Sequence, residues 1–292
     1  MSIFKGSGVA LCTPFTDEGI NENTLRELIN FQLNNCSDAL VILGTTGEPS
    51  TMTEDEKERV ISVTVEMAKG KIPVIVGTGG NNTKKVIADS IRAEKMGADA
   101  LLIVTPYYNK ATPKGLYEHY KAVSDAIDIP IIVYSVQSRT GLNVAPETLA
   151  KLATIKNVKG VKEASGNISQ IAEVARLCPD LDLYSGNDDQ ITPILALGGS
   201  GVISTVANIV PKEVHDMVNM FFNGDIKGSI AKQLELNPLT AAVFSEVNPI
   251  PIKTALRLMD YNMGNFRLPL CEMEEATTAN LIKQMKKFSL IK

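Results

Sequence analysis

Lys162 is the residue of this sequence whose position most needs a chemical explanation. It lies in the segment VKGVKEASG, inside a run that should be buried, and an unpaired buried cation is costly. One interpretation is structural, with the charge neutralised by a neighbouring carboxylate such as that of Glu163 or Asp188. The other is functional, because desolvation holds an amine neutral and a neutral amine adds to a carbonyl carbon to form an imine.

Three hydroxyl groups at the ends of other apolar runs could serve such an imine. Tyr134 ends the run PIIVY, and a phenol can donate and accept the protons that imine formation and hydrolysis require. Thr45 and Thr46 lie in the glycine-flanked turn GTTGE, where hydroxyl and backbone N–H groups can hold a carboxylate. Plainer alternatives exist, since Tyr134 could be a core residue with one hydrogen bond and such threonine turns are common.

Eight short apolar runs recur along the chain and would carry these residues. Most are continuously apolar, which is typical of parallel strands buried on both faces, and helical periodicity fills the stretches between them. Eight repeats favour a closed (β/α)8 TIM barrel of the α/β class over an open doubly wound sheet, with the active site at the C-terminal ends of the strands. The runs span residues 9–13, 39–43, 73–77, 100–104, 130–134, 158–163, 181–185 and 201–205.

The last part of the chain differs from the repeating part. Strand-like runs stop near residue 225, and the remaining residues have the periodicity of three helices. The sequence therefore predicts a catalytic barrel over residues 1–224 and a C-terminal helical domain over residues 225–292.

The composition excludes several classes of function. The formal net charge is −4 and no cluster of lysine and arginine occurs, so nucleic acid is not expected as a partner. No apolar run reaches the roughly 18 residues of a membrane span, and the first residues do not resemble a signal peptide. The 4 cysteines form no paired motif and the chain has 2 histidines, so we expect reduced thiols in the cytoplasm and no metal site.

Five segments match the motifs of one family, and they occur in the same order as in that family. They are GTTGE at 44–48, TPYYNK at 105–110, SRTG at 138–141, VKEASGN at 161–167 and NPIPIK at 248–253. On these motifs the chain resembles the dihydrodipicolinate synthase family, of the N-acetylneuraminate lyase superfamily of class I pyruvate aldolases. The resemblance implies a covalent Schiff base between Lys162 and pyruvate, without any separate cofactor. Attack on L-aspartate 4-semialdehyde would then give 4-hydroxy-tetrahydrodipicolinate, in the diaminopimelate route to lysine.

The resemblance also implies a proton relay and an oligomer. Tyr134, Thr46 and Tyr108 are expected to form the relay. Tyr108 is expected to reach the site from a neighbouring subunit, which implies a homodimer or a homotetramer.

Substrate binding is assigned by the same resemblance. Thr45 and Thr46 are expected to hold the carboxylate of pyruvate, and the backbones of Gly186 and Ile203 to line the pocket. Arg139 is expected to bind the carboxylate of the semialdehyde through its planar guanidinium.

The segment after Tyr134 departs from the family pattern. The family usually reads YNVPxRTG, whereas this chain has Ser135 and Gln137 in place of the asparagine and the proline. Losing the proline frees φ and losing the amide removes a hydrogen-bond partner, so the loop that aims Arg139 is expected to be less constrained. The changes leave open a pyruvate-dependent aldolase acting on another aldehyde or sugar acid. A non-catalytic barrel for ligand sensing is the alternative of another class, and the retained lysine, tyrosines, threonine and arginine argue against it.

The resemblance also bears on whether L-lysine inhibits the enzyme by feedback. Lysine-sensitive family members bind the effector at a subunit interface, using a histidine in the helix after GTTGE and a glutamate in the next helix. This chain has Glu54 and Lys57 in the first of these helices, and Lys85 where the glutamate would lie. Because a cation repels a cationic ligand, the enzyme is expected to be insensitive to lysine.

Overall fold

Eight parallel strands close into a barrel in a computed structural model that describes residues 2–292. The first and last barrel strands pair with each other, and the predicted TIM barrel is confirmed. A small antiparallel hairpin, formed by the second and third strands, lies outside the barrel. In chain order the strands are β1 (Gly6–Ala10), β2 (Phe15–Thr16), β3 (Gly19–Ile20), β4 (Ala39–Ile42), β5 (Val74–Gly77), β6 (Ala100–Val104), β7 (Ile131–Ser135), β8 (Val158–Glu163), β9 (Asp182–Ser185) and β10 (Gly201–Ser204).

The first barrel strand lies earlier in the chain than its apolar run predicts. It begins at Gly6 and ends at Ala10, whereas the run predicts residues 9–13. The glycines of β1 have low strand propensity, but Gly8 lies so close to the ring of Phe4 that a Cβ there would be 2.8 Å from it. Close packing between Gly8 and Phe4 at the floor of the barrel therefore favours a strand at residues 6–10. A search for apolar runs does not detect such packing, because it involves a glycine.

Helices fill the connections between the strands and continue beyond the last one. The three predicted C-terminal helices are present as the last three of the series, and α10 packs against both α9 and α12. No helix of the described residues is long and apolar enough to cross a membrane. The division into domains at residue 225 remains a prediction. The helices are α1 (Glu22–Asn34), α2 (Glu54–Ala68), α3 (Thr83–Lys95), α4 (Pro113–Ser124), α5 (Gln137–Thr140), α6 (Pro146–Leu152), α7 (Ile168–Leu177), α8 (Ile191–Ala196), α9 (Pro211–Phe222), α10 (Ile226–Val243), α11 (Ile250–Leu258) and α12 (Glu275–Lys287).

The alternation of side chains along β7 and β8 decides which residues enter the barrel. Tyr134 and Lys162 are register partners on these neighbouring strands, and Tyr134 packs in the core inside the barrel. Val133 and Val161 belong instead to the core between the barrel and its helices. Because side chains alternate between the faces of a strand, Tyr134 and Lys162 enter the barrel together near its C-terminal rim.

Candidate active site

The C-terminal ends of the strands surround a cavity of about 150 Å³, which we call the inner cavity. It brings together six of the residues predicted from the sequence, although they are far apart in the chain. Its position agrees with the place where TIM barrels carry their active sites. The six residues are Thr45, Thr46, Tyr134, Arg139, Lys162 and Gly186.

Lys162 is the buried amine of this cavity. Its side chain is only 5% exposed, and its Nζ lies 4.5 Å from the centroid of the Tyr134 ring. Burial lowers the pKa of Lys162 to about 8, with nearby Asp188 raising it and Arg139 lowering it further. About a tenth of the amine is therefore neutral at pH 7, far more than for an exposed lysine, and nucleophilic attack on a carbonyl requires this neutral form.

The two carboxylates that could have neutralised Lys162 are engaged elsewhere. Glu163 follows Lys162 on the opposite face of β8, and its Oε1 accepts the backbone N–H of Ser165 at 2.7 Å. Asp188 accepts the backbone N–H of Thr205 at 3.0 Å. Across residues 2–292 no ion pair forms at Lys162, and Asp188 acts on it only through its charge. The structural interpretation of Lys162 as one half of an ion pair is therefore not supported.

Tyr134 lies with a threonine hydroxyl beside Lys162. Burial raises the pKa of Tyr134, while the charge of Arg139 and a hydrogen bond with Thr45 lower it. Thr46, the threonine expected in the relay, instead accepts a hydrogen bond at its Oγ1 from Nδ2 of Asn248 at 3.0 Å. Thr45 is thus the threonine that acts on the phenol of Tyr134, while the place of Thr46 in the relay stays a prediction.

A tight turn after β4 presents these two threonines. Thr45–Gly47 form one turn of 3-10 helix, in which Gly47 N–H donates to the carbonyl of Gly44 at 2.9 Å. Glu48 closes the turn with φ of 56°, in the left-handed region, and its N–H donates to the carbonyl of Thr45 at 3.2 Å. Both threonines are therefore held in a defined backbone conformation at the rim.

Arg139 reaches the inner cavity from α5, a single helical turn that follows β7. Its Nη2 donates to the carbonyl oxygen of Asn248 at 3.2 Å. Asn248 consequently contacts both Arg139 and Thr46, yet sequence reasoning did not select it. Its place at the head of the NPIPIK motif was the signal that could have identified it.

The two predicted backbone contributors differ in position. Gly186 lines the inner cavity, and a Cβ at this residue would lie 2.7 Å from the Cβ of Ala164, so only glycine fits. Ile203 is 1% exposed and packs in the core inside the barrel. In the part of the chain that the structure describes, Ile203 does not line the inner cavity.

Comparison with known proteins identifies relatives along the whole chain. The model of the dihydrodipicolinate synthetase family matches residues 3–288. The chain belongs to the dihydrodipicolinate synthetase family. The resemblance drawn from the sequence motifs is therefore confirmed.

Curated relatives and solved structures agree with this family. The 4-hydroxy-tetrahydrodipicolinate synthase 1 of Clostridium acetobutylicum is 55% identical over 293 residues, 100% of both chains. The corresponding synthase of Caldicellulosiruptor bescii is 54% identical and covers 99% of both chains. Dihydrodipicolinate synthase from Thermotoga maritima superposes with a TM-score of 0.96 at 44% identity, covering 99% of this chain and 100% of that one. The enzyme from Cyanidioschyzon merolae, solved with lysine bound, has a TM-score of 0.96 at 35% identity and full coverage of both, 100% each.

In this member of the dihydrodipicolinate synthetase family, Tyr107 and Tyr108 of the TPYYNK motif are not among the described residues that line the inner cavity. Tyr108 is 85% exposed and has φ of 65°, so it projects from the surface of the chain. Among residues 2–292 it lines neither the inner cavity nor the larger cavity beside it. One copy of the chain therefore does not bring Tyr108 to Lys162.

This second cavity of about 560 Å³, the side cavity, adjoins the inner cavity between α2 and α3. The two cavities share Thr45, Tyr134 and Arg139 among their lining residues. Ion pairs cross the side cavity, since Glu54 accepts from Lys85 at 2.8 Å and from Arg92 at 2.6 Å. Its acidic and basic side chains thus neutralise each other.

Proposed function

We propose that this chain is a Schiff-base-forming lyase that condenses pyruvate with L-aspartate 4-semialdehyde to 4-hydroxy-tetrahydrodipicolinate. The observation that carries the proposal is the buried amine of Lys162, which has no ion-pair partner in the described chain and adjoins the phenol of Tyr134. The names of curated relatives that match the chain over its whole length support the same reaction.

In the first step the neutral amine of Lys162 attacks the carbonyl carbon of pyruvate. The carbinolamine then loses water to give the imine, which requires protons to be delivered to oxygen and removed from nitrogen. Tyr134 performs these transfers, with Thr45 as its hydrogen-bond partner. Thr45 and Thr46, together with the backbone of the same turn, hold the pyruvate carboxylate.

In the second step the imine loses a proton from the methyl carbon to become an enamine. The enamine carbon attacks the aldehyde carbon of the semialdehyde, and a new carbon–carbon bond forms. Arg139 binds the carboxylate of this second substrate, while Gly186 and Ile203 shape the pocket. The substrate's own amine then displaces Lys162 and closes the ring, so the covalent imine takes the place of any separate cofactor.

The proposed enzyme works as a homodimer or a homotetramer. Tyr108 is 85% exposed, and we assign it to the proton relay of a neighbouring subunit. An exposed tyrosine on a turn that contains Tyr107 is well placed for an interface, because tyrosine is enriched where subunits meet. The four cysteines are free thiols, which suits the reducing cytoplasm, where we place the enzyme.

Reductive trapping tests the proposal. Borohydride added with pyruvate reduces the imine to a stable secondary amine, and mass spectrometry of the digested protein locates the modified lysine. We expect one adduct, on Lys162, and loss of activity in step with labelling. No adduct, or an adduct on another lysine, would refute the proposed chemistry. A panel of aldehydes then separates the semialdehyde from other aldehydes and sugar acids, which the changes at Ser135 and Gln137 make worth including.

A further inference from the structure

A second buried lysine lies behind the turn that presents Thr45 and Thr46. Lys253, in α11, is 0% exposed, and its Nζ donates to Oε1 of Glu48 at 2.8 Å. The same Nζ lies 4.2 Å from the ring centroid of Phe15 and 5.3 Å from that of Phe266. Both members of this ion pair are buried, and aromatic faces surround the cation.

The pair joins the C-terminal helices to the catalytic rim. Glu48 is the last residue of the GTTGE turn, and its backbone N–H donates to the carbonyl of Thr45. On the other side, α11 begins two residues after Asn248, which contacts Thr46 and Arg139 through separate atoms. The ion pair and the two contacts of Asn248 therefore connect one short segment to residues on two sides of the inner cavity.

Stability alone is a weak explanation for this ion pair. Removing two charges from water is costly, and replacing a buried pair with apolar groups of similar volume is often neutral or stabilising. A buried ion pair instead restricts the relative position of the two segments that carry it, because the ammonium and the carboxylate compensate each other only in one geometry. Glu48 also holds a left-handed conformation, with φ of 56°, which a non-glycine residue keeps only where its surroundings impose it.

We propose that Lys253 and Glu48 are positioning residues, which fix the GTTGE turn so that the hydroxyls of Thr45 and Thr46 face the inner cavity and bind the pyruvate carboxylate. This inference rests on the proposed function. Lys253 does not itself line the inner cavity within the described residues, so it acts through the turn and not on the substrate.

The test removes both charges at once, in the double variant Lys253→Met with Glu48→Leu. Removing one charge alone would leave the other buried without compensation, whereas the double variant is expected to fold with a melting temperature close to that of the unmodified protein. We expect its KM for pyruvate to rise about tenfold, as when one hydrogen bond to a charged group is misaligned, with kcat changed about twofold at most. Borohydride trapping at saturating pyruvate should still label Lys162.

A matched control uses the same substitutions on a surface pair of the C-terminal helices. Lys232 and Glu235 form an ion pair at 3.2 Å on α10, and Lys232→Met with Glu235→Leu should leave KM and kcat unchanged. A pyruvate KM within twofold of the unmodified protein in the Lys253 and Glu48 double variant would overturn the inference. So would a KM change that the control reproduces.

A conservative variant keeps the test decisive if the double variant does not fold. Glu48→Gln preserves the shape of the side chain and an acceptor oxygen for Lys253 but removes the counter-charge. We therefore expect its KM for pyruvate to rise about threefold, to a value between those of the unmodified protein and of the double variant. An unchanged KM in folded Glu48→Gln protein would refute the positioning role. Absence of any pyruvate adduct on the unmodified protein would instead count against the proposed function, so the two failures are distinguishable.

Discussion

The two buried lysines of this chain, Lys162 and Lys253, differ in one respect. Lys253 has a carboxylate partner, Glu48, at 2.8 Å, whereas no ion pair forms at Lys162 within residues 2–292. Burial lowers the pKa of both amines, and at Lys253 Glu48 opposes part of this lowering through its charge and a direct hydrogen bond. Asp188 acts on Lys162 through charge alone.

The comparison shows that burial by itself does not make a lysine reactive. An amine paired with a carboxylate keeps its proton and contributes orientation, while an unpaired buried amine loses its proton more easily and becomes a nucleophile. The aromatic neighbours agree with this division. Lys253 lies among rings that have no hydroxyl, whereas the ring beside Lys162 is the phenol of Tyr134, which can transfer protons.

Replacing each lysine by methionine should give opposite changes in stability. Lys162→Met is expected to abolish pyruvate trapping and to raise the free energy of unfolding at pH 7. The pKa is lowered from 10.5 to about 8, and at about 1.4 kcal/mol for each pH unit this corresponds to about 3 kcal/mol. Lys253→Met leaves Glu48 buried without a counter-charge and should lower the free energy of unfolding by about 3 to 5 kcal/mol.

Denaturant unfolding at several pH values measures both effects. Below about pH 8 the folded and unfolded states both hold the proton of Lys162, so the cost of the buried charge is fully present there. Between that pH and 10.5 the folded state binds fewer protons than the unfolded state, and the advantage of Lys162→Met should fade as the pH rises. A change of the same sign in both variants would contradict the distinction between the two lysines.

Arg139→Ala should separate the two chemical steps at Lys162. We propose that Arg139 binds the second substrate, so its loss is expected to reduce condensation about ten- to a hundredfold, the cost of about 1.5 to 3 kcal/mol for a charged hydrogen bond. Trapping of pyruvate should persist, although the pKa of Lys162 rises because Arg139 contributes to lowering it. Equal loss of trapping and condensation, measured at a pH above about 9, where the amine is mostly neutral, would mean that Arg139 is structural.

The rate of imine formation should depend on pH with the sign set by Lys162. With a pKa of about 8, the neutral fraction of the amine increases about tenfold between pH 7 and pH 9, and trapping at low pyruvate should accelerate by a similar factor. The control is Lys253→Met, in which the midpoint of this profile should not move. A trapping rate that falls over the same range would exclude deprotonation of Lys162 as the activating step.

Much of this fold could be predicted from the sequence because buried parallel strands are continuous apolar runs. The strands β6 (Ala100–Val104) and β8 (Val158–Glu163) coincide with their runs, whereas the glycine-rich β1 does not. Lys162 and Tyr134 could be identified since a polar residue that ends or interrupts such a run is conspicuous.

Other parts of the site could not be predicted, because they depend on contacts between distant segments. The structure alone distinguishes Thr45, beside the phenol, from Thr46, bonded to Asn248 across 202 positions of sequence. The pairing of Lys253 with Glu48 spans 205 positions and leaves no local pattern in either segment.

Restoring the family residues after Tyr134 is expected to have a modest effect. Gln137 is the first residue of α5, a position where proline suits a helix, and in the described structure its N–H donates to no backbone carbonyl. Ser135→Asn with Gln137→Pro should therefore raise the rate of condensation about two- to fivefold without changing the KM for pyruvate. The factor corresponds to about 0.4 to 1 kcal/mol, the usual effect of restricting the backbone of a loop. Steady-state kinetics of the double variant, with each single change as control, decides this. No change in either parameter would show that the loop is already ordered.

The smallest expected effect concerns a third lysine, Lys85. Because of its position, we expect free L-lysine not to inhibit the enzyme. Lys85 lies in the side cavity and is half exposed, with Nζ 2.8 Å from Glu54 and 3.0 Å from Asp89. These pairs occupy the carboxylates that an incoming ammonium would need, and Lys85 itself repels such a group by about 4 kcal/mol at about 4 Å, before screening. L-lysine up to about 1 mM should therefore leave condensation unchanged.

A variant that reverses the charge at Lys85 tests this prediction further, because it removes the cation that repels L-lysine from the side cavity. Lys85→Glu places a carboxylate where Lys85 now lies, and this variant should bind L-lysine measurably by calorimetry at millimolar concentration. Lys84→Glu makes the same change one position earlier on α3, where Lys84 does not line the side cavity within the described residues, and it should bind none. Inhibition of the unmodified protein at or below about 1 mM would contradict this account, since roughly 4 kcal/mol of affinity would then have to come from groups other than Glu54 and Asp89.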